Sequence, residues 1–450
     1  MTENNQQEIN RELFDKLRND LIEDKKTFNK PRNKDLKQGY IDMYSEQGHF
    51  MYELLQNADD AKATEVEVEL YGDRLVFTHN GTERFTLTDC EKEEEDRKAG
   101  SLGHINAIVA IGFSNKIKNN DNTEKKIGKF GLGFKSVYNY TDNPHIYDDP
   151  YCFKMDRDFI PELLDDRSLM QKGKTVIVLP FDKERSDLDS IVQSLKGELT
   201  GMSKVVPQLF LNHVGTIYWS CGEERGLISK QLEERYECPF GWMSAEKYLL
   251  NSGENKDEHI IMLSGRYDLS EFGVHTIKIA YWLKSDGGID TKKRSQGLYS
   301  YFPLLVDFQT CYAAHAPFIL NSNRENYKKD CEENRQLVRC IGNLAAKGLL
   351  ALKEIGLKQG KRLVDENVFH LIDNSQSWEK NRYTTPERLL DDACSRVLKT
   401  EALFTGRSGE YVTSKEVVWG GTCNVGFVQF GAIECIIGKR RRFCQCERMG

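Results

Sequence analysis

The segment Glu53-Leu54-Leu55-Gln56-Asn57-Ala58-Asp59-Asp60-Ala61 decides how this chain is read. On a helix, Glu53 and Asn57 lie four residues apart and share a face, and Asp60 falls close to the same stripe. Leu54, Leu55 and Ala58 are then free to point into a core. A stripe of Glu, Asn and Asp on a half-buried helix needs a reason, because burying such groups unpaired is costly. Nucleotide chemistry supplies one. Magnesium takes oxygen ligands, keeps several waters and shares the phosphates, a role that suits the Asn57 side-chain oxygen. A carboxylate one turn earlier can orient and deprotonate an attacking water. Read alone, the stripe fits an ordinary polar helix equally well.

A second motif follows at Ile127-Gly128-Lys129-Phe130-Gly131-Leu132-Gly133-Phe134. Gly128, Gly131 and Gly133 leave backbone N–H groups open to an anion. Phe134-Lys135-Ser136-Val137-Tyr138 reads as the start of a helix, whose positive end also attracts phosphate. The Gly-Lys-Ser/Thr ending of a Walker loop is absent, and the motif follows a long polar segment rather than the first strand of a βαβ unit, so a Rossmann fingerprint does not fit.

Between and around the motifs, periodicity sketches the framework. Residues 41–61 read as one long helix. Val66, Val68 and Leu70 alternate with Glu65, Glu67 and Glu69, the pattern of a strand with one wet face. Tyr71-Gly72-Asp73 turns it into a second strand at Leu75-Val76-Phe77, hence a hairpin. The charge run Glu91 to Lys98 reads as a solvated helix or loop. Residues 100–126 carry three glycines and then a polar stretch, a candidate lid. Thr175-Val176-Ile177-Val178-Leu179, ended by Pro180, is a buried strand. Further on, His275 to Ala280 is strand-like and about Glu332 to Leu357 is helical.

The 450 residues exceed one compact core and suggest two to three domains. A net charge of -7 gives no support to a protein that coats nucleic acid. The polar start Met1 to Gln7 lacks the apolar core of a signal peptide, and no apolar run is long enough to span a bilayer. No membrane partner is expected, and the cytoplasm is the expected location. Twelve cysteines occur without a Cys-x-x-Cys pair; Cys444-Gln445-Cys446 has no matching ligand pair upstream, so free or buried thiols are the favoured reading over zinc.

The order of the two motifs, with a strand pair and a lid between them, resembles the GHKL ATPases: gyrase B, the ninety-kilodalton heat-shock chaperone, histidine kinases and MutL. Leu55-Gln56-Asn57-Ala58-Asp59-Asp60-Ala61 and Ile111-Gly112-Phe113-Ser114-Asn115-Lys116 look closest to the sacsin-type branch, and the likeness is strongest over about residues 40–180. The fold this implies is α/β: a two-layer α/β sandwich of the Bergerat type with a mixed sheet under helices, followed by a second α/β domain of the middle or transducer kind. The implied layout is a charged helical extension over 1–40, an ATP-binding domain over 41–195, a middle-like domain over 196–365 and a C-terminal segment over 366–450.

The resemblance also implies roles, with ATP and Mg²⁺ as cofactors. Glu53 would be the general base, Asn57 would coordinate magnesium and Asp60 would support the pocket. Gly128, Gly131, Gly133 and Phe134 would hold phosphates, with Ser114 and Lys116 in the lid. Thr175 is similar to the late threonine that helps bind adenine, although Lys174 stands where the family usually has glycine. The family's adenine-reading Asp-x-Gly-x-Gly becomes Thr78-His79-Asn80-Gly81-Thr82, without the carboxylate. Either His79 or Asn80 must then face the base, through an Asn oxygen or a neutral ring nitrogen accepting from the adenine amine. In Phe318-Ile319-Leu320-Asn321-Ser322-Asn323-Arg324-Glu325-Asn326, Arg324 is similar to the arginine with which the chaperone's middle domain senses the terminal phosphate.

The implied activity is slow ATP hydrolysis that drives a conformational switch, chaperone-like or controlling an effector, with a role in bacterial defence conceivable. A protein client or effector is the implied partner. An ATP-operated DNA clamp of the MutL or topoisomerase class and a non-hydrolysing nucleotide-binding scaffold remain as alternatives. The acidic balance disfavours DNA.

Overall fold

In the computed structural model the hairpin read from residues 65–77 sits inside the sheet of the first half of the chain. Strand β1 (Glu65–Leu70) pairs antiparallel with β2 (Arg74–His79), setting Val66 opposite His79 and Leu70 opposite Leu75. Glu65 and Glu67 face water while Val66, Val68 and Leu70 are buried, as the two-residue alternation of a strand requires. The structure describes residues 3–28, 50–110, 133–181, 187–253, 257–292, 297–306, 310–321, 325–365, 368, 393–394, 396–405, 409–419 and 442–444. The chain divides into two compact units, Met1–Lys230 with Asn251–Lys256, and Gln231–Leu250 with Asp257–Gly450.

The first unit adds β3 (His145–Asp148), β4 (Tyr151–Met155), β5 (Pro161–Leu163), β6 (Thr175–Pro180), β7 (Thr216–Cys221) and β8 (Glu224–Tyr236), whose residues after Lys230 group with the second unit. The strand order is β8-β7-β1-β2-β6-β3-β4-β5. Every neighbouring pair is antiparallel except β1 and β7, so the sheet is mixed. Val176, Ile177, Val178 and Leu179 of β6 are all buried. Both faces of this strand are covered, which is why its sequence reads as a continuous apolar run rather than an alternation. Val176 and Val178 join Val76, Tyr147 and Cys152 in one cluster. Alternation therefore sends Thr175 and Ile177 to the opposite face.

Helices α1 (Glu3–Phe28), α2 (Phe50–Asp60), α3 (Glu93–Ala99), α4 (His104–Val109) and α5 (Leu188–Val205) complete the described part of this unit. The N-terminal helix is docked: Phe14 is fully buried, with its ring centroid 5.7 Å from that of Phe153, and Lys16 pairs with Asp89 and Glu91 at 2.9 Å each. Helix α3, the charge run, has no buried residue, as its composition suggests. The unit runs past residue 195 because β7 lies parallel to β1 along its whole length. The approach to β7 is pinned by the buried Asp59, whose carboxylate accepts from the backbone N–H groups of Asn212, His213 and Val214 at 3.1, 2.7 and 2.8 Å.

The second unit contains β9 (Met243–Asn251), β10 (Asp257–Asp268), β11 (Val274–Trp282), β12 (Leu298–Ser300), β13 (Phe302–Pro303) and β14 (Tyr312–His315), in the order β9-β10-β11-β14-β12-β13. Helix α6 (Glu332–Lys358) packs against β10 and β11. Leu337, Ile341 and Leu344 of the helix recur at four- and three-residue spacing and share a core with Leu263, Ile277, Ile279 and Tyr281. At the start of α6 the fully buried Asn334 accepts from the Ile319 N–H and donates to the Ile319 and Lys328 carbonyls, all within 2.9 Å. Arg324 lies outside the described residues. Eight described cysteines are free thiols. No described helix is long and apolar enough to cross a membrane.

Candidate functional site

Five separated segments of the first unit converge on one cleft. It is lined by Asn57 and Ala61 from the end of α2, His79 from β2, Glu83, Arg84 and Phe85 from the following loop, His104 and Ile108 from α4, Phe134, and Thr175 and Ile177 from β6. It is partly open to solvent. Ala61, Phe85, Ile108, Phe134 and Ile177 give it apolar walls with a few polar groups between them, the common make-up of a small-molecule site.

Local structure explains each placement. Helix α2 ends at Asp60, and the Ala61 carbonyl accepts from the N–H groups of Thr82 and Glu83 at 2.8 and 3.2 Å. The first motif and the loop after β2 are thereby tied together. Helix α2 also packs on the 3₁₀ turn Gly133–Asn139, with Phe50 and Tyr140 ring centroids 4.5 Å apart. The described end of the glycine-rich motif thus lies against the helix that carries Asn57. Phe134 is only 2% exposed and forms a cleft wall.

Of the residues expected from sequence, Asn57, His79, Phe134 and Thr175 line the cleft. Glu53 and Asp60 are buried on α2, one turn before Asn57 and three residues after it, outside the cleft lining. Gly133 begins the 3₁₀ turn. Ser114, Lys116, Gly128 and Gly131 lie outside the described residues, as does the lid segment beyond Ala110. Lys135, read as part of a helix start, turns inward. It is 4% exposed, donates to the Ala110 carbonyl and sits 4.6 Å from the Phe159 ring centre, and burial lowers its pKa to about 8.

His79 and Asn80, adjacent in sequence, have different surroundings. Asn80 is committed elsewhere: its Oδ1 accepts from the Thr64 and Glu65 N–H groups and its Nδ2 donates to Thr64 Oγ1, each at 2.9 Å. It caps the start of β1. His79 lines the cleft, is 6% exposed, and accepts at Nδ1 from the Gly81 N–H at 3.1 Å. Burial, reinforced by the nearby Arg84, pulls its pKa down to about 3, so the ring is neutral near pH 7. Gly81 has no room for a side chain. A Cβ there would stand 2.8 Å from both the Cβ and the carbonyl oxygen of Ala61 and 2.9 Å from His79 Nδ1.

Sequence reasoning missed the polar network behind Thr175. Asp148, at the end of β3, is fully buried and accepts from Arg84 Nη1 at 2.9 Å, Thr175 Oγ1 at 2.8 Å and the Phe85 N–H at 2.6 Å. Arg84 Nη1 also donates to Thr175 Oγ1 at 3.2 Å. A buried carboxylate needs such partners, and here they fix both the cleft loop and the threonine hydroxyl. The available signal was an acid inside the apolar strand His145-Ile146-Tyr147-Asp148, joined to an arginine shortly after the second strand.

Residues 34–160 match the sacsin domain. The Arabidopsis thaliana protein NO VEIN is 31% identical over 157 residues, covering 35% of this chain and 5% of NO VEIN. Human sacsin is 34% identical over 110 residues, covering 23% of this chain and 2% of sacsin. The matched part of the chain thus spans only a small fraction of either relative's length. The sacsin-domain match takes in α2, the hairpin, the loop through Phe85, α4 and Phe134, hence most of the cleft lining; Thr175 and Ile177 fall beyond it.

Proposed function

We propose that the first unit is a nucleotide-binding module of the GHKL kind, a two-layer α/β sandwich, which binds ATP with magnesium, hydrolyses it slowly and uses the cycle as a conformational switch. The observation that carries this reading is the convergence of Asn57, His79, Phe134 and Thr175 on one apolar-walled cleft. These residues come from the helix motif, the strand end after the hairpin, the glycine-rich motif and the late strand.

The donor set fits a magnesium nucleotide. Asn57 offers a neutral oxygen at the cleft, and among the described residues no three His, Cys, Asp or Glu side chains gather into a metal cage of their own. This is compatible with a hard cation that keeps waters and shares the phosphates. A bound magnesium ion supplies neutralisation of phosphate charge. Asn57 would hold the ion, and Glu53, one turn earlier on α2, would serve as the base toward an attacking water. Phe134, Phe85 and Ile108 exclude bulk water from the base. The output is a change of shape, with a protein client or effector as the responding partner.

ATP turnover by the full chain, measured alone, with an unfolded protein and with DNA, tests this. Basal turnover raised by unfolded protein supports the switch. Turnover raised only by DNA replaces it with the clamp reading. Binding without turnover leaves a nucleotide-dependent scaffold, and no nucleotide binding at millimolar concentration removes the proposal.

A further inference from the structure

The cleft has a fixed hydrogen-bonding polarity, set by two residues that face each other. His79 and Thr175 are direct partners across the antiparallel pair β2–β6, and both line the cleft. Side chains at such positions are neighbours on one face of the sheet.

Each has its proton assigned by what lies behind it. The Gly81 N–H can only donate, so His79 Nδ1 is the accepting nitrogen and a neutral ring carries its proton on Nε2. Burial keeps the ring neutral near pH 7. Among the described residues Nε2 has no hydrogen-bond partner. The Thr175 hydroxyl proton is directed to Asp148, and one oxygen lone pair takes Arg84 Nη1. The second lone pair is left to accept.

We propose, building on the nucleotide reading above, that His79 is the base-reading residue and that it reads by donating: Nε2–H meets an acceptor on the Watson–Crick edge of a purine, with Thr175 Oγ1 accepting beside it. This is the opposite of what a carboxylate, or a histidine accepting from the adenine amine, does. The adenine edge supplies a matching pair in N1 and the 6-amino group. A 6-oxopurine supplies one in its carbonyl oxygen and N1–H. In either case the acceptor on the base is the atom His79 requires, and an edge that offers only an amine leaves the buried Nε2–H unsatisfied.

Calorimetric titration of the full chain with magnesium and ATP, 1-deaza-ATP or ITP tests this. The 1-deaza compound keeps the amine and replaces N1 with C–H. The expected result is binding of ATP with about a tenfold loss for 1-deaza-ATP, the size of one neutral hydrogen bond. His79→Phe should bind ATP and 1-deaza-ATP equally. Asn80→Ala, outside the cleft, should preserve the wild-type ratio. ITP bound in preference to ATP keeps the polarity and assigns a 6-oxopurine. Equal affinity of the wild type for ATP and 1-deaza-ATP, with ITP weaker, overturns the assignment while leaving nucleotide binding intact. Failure of all three to bind removes the nucleotide reading and this inference with it.

Discussion

His79 and Thr175 stand opposite each other across two strands and line the same cleft, one anchored by a backbone N–H and the other by a buried carboxylate. The relationship makes the site sensitive to groups that do not touch a ligand. Asp148 is the clearest. Replacing it by Ala leaves the Phe85 N–H without its acceptor and removes the ion-pair partner of Arg84, and breaking a buried ion pair from one side costs about 3–5 kcal/mol. Thr175→Ala removes a hydroxyl and should cost about 1 kcal/mol. Urea unfolding followed on the first unit, through hydrogen exchange of β6 amides, measures both. Similar losses for the two variants would mean that the carboxylate is not the organising group.

Acid should attack the cleft through His79. Its folded pKa lies near 3, below the usual histidine value of 6.5. Between those values the unfolded chain binds the extra proton and the folded chain does not. The neutral ring's contribution is therefore fully present above about pH 6.5 and is lost as pH falls toward 3, by about 1.4 kcal/mol per unit. His79→Asn keeps an acceptor near the Gly81 N–H and does not titrate. Its stability should fall less steeply between pH 6 and 4 than that of the wild type. Parallel curves would show that the ring does not stay neutral in the fold.

Gly81 is predicted to tolerate no side chain. An Ala Cβ would press on the Ala61 carbonyl, which already holds the Thr82 and Glu83 N–H groups, and on His79 Nδ1. Overpacking of this kind costs about 1–3 kcal/mol. The turn that fixes the histidine tautomer would shift with it, so nucleotide affinity should fall as well. Gly72→Ala is the control: nothing lies within 4 Å of a Cβ at that hairpin position. Thermal denaturation and nucleotide titration of the two variants should differ. A normal melting temperature and normal affinity for Gly81→Ala would refute the close approach.

Much of this was legible in sequence where the signal was local. The alternation at residues 65–70 gave β1 and its wet face, and the unbroken apolar run at 175–179 gave β6, because strand periodicity reports burial on each side. Asn57 follows from the chemistry of its own motif, whereas His79, Phe134 and Thr175 follow from the resemblance of their segments to the GHKL ATPases. What stayed hidden depends on pairing between distant segments. The parallel match of β1 with β7 joins residues about 150 apart, and it carries the first unit past residue 195. Asp148 and Arg84 meet only because β3 lies beside β6. Nor does any local pattern reveal that Asn80 bonds back to Thr64 and Glu65 while its neighbour His79 turns into the cleft.

The division of labour on α2 gives the sharpest test of chemistry. Asn57 lines the cleft, whereas Glu53 sits one turn earlier on the same face, buried and outside the lining. If Asn57 holds the magnesium nucleotide and Glu53 handles the water proton, the two substitutions must separate. Asn57→Ala should weaken binding of magnesium ATP by about tenfold or more, since a hard-oxygen ligand is lost. Glu53→Gln keeps shape and polarity and should bind ATP as the wild type does, while turnover falls by about a hundredfold, the usual yield of a positioned general base. Calorimetry and single-turnover kinetics read the two effects independently. Wild-type turnover in Glu53→Gln would remove it from the chemistry, and wild-type affinity in Asn57→Ala would remove the metal assignment.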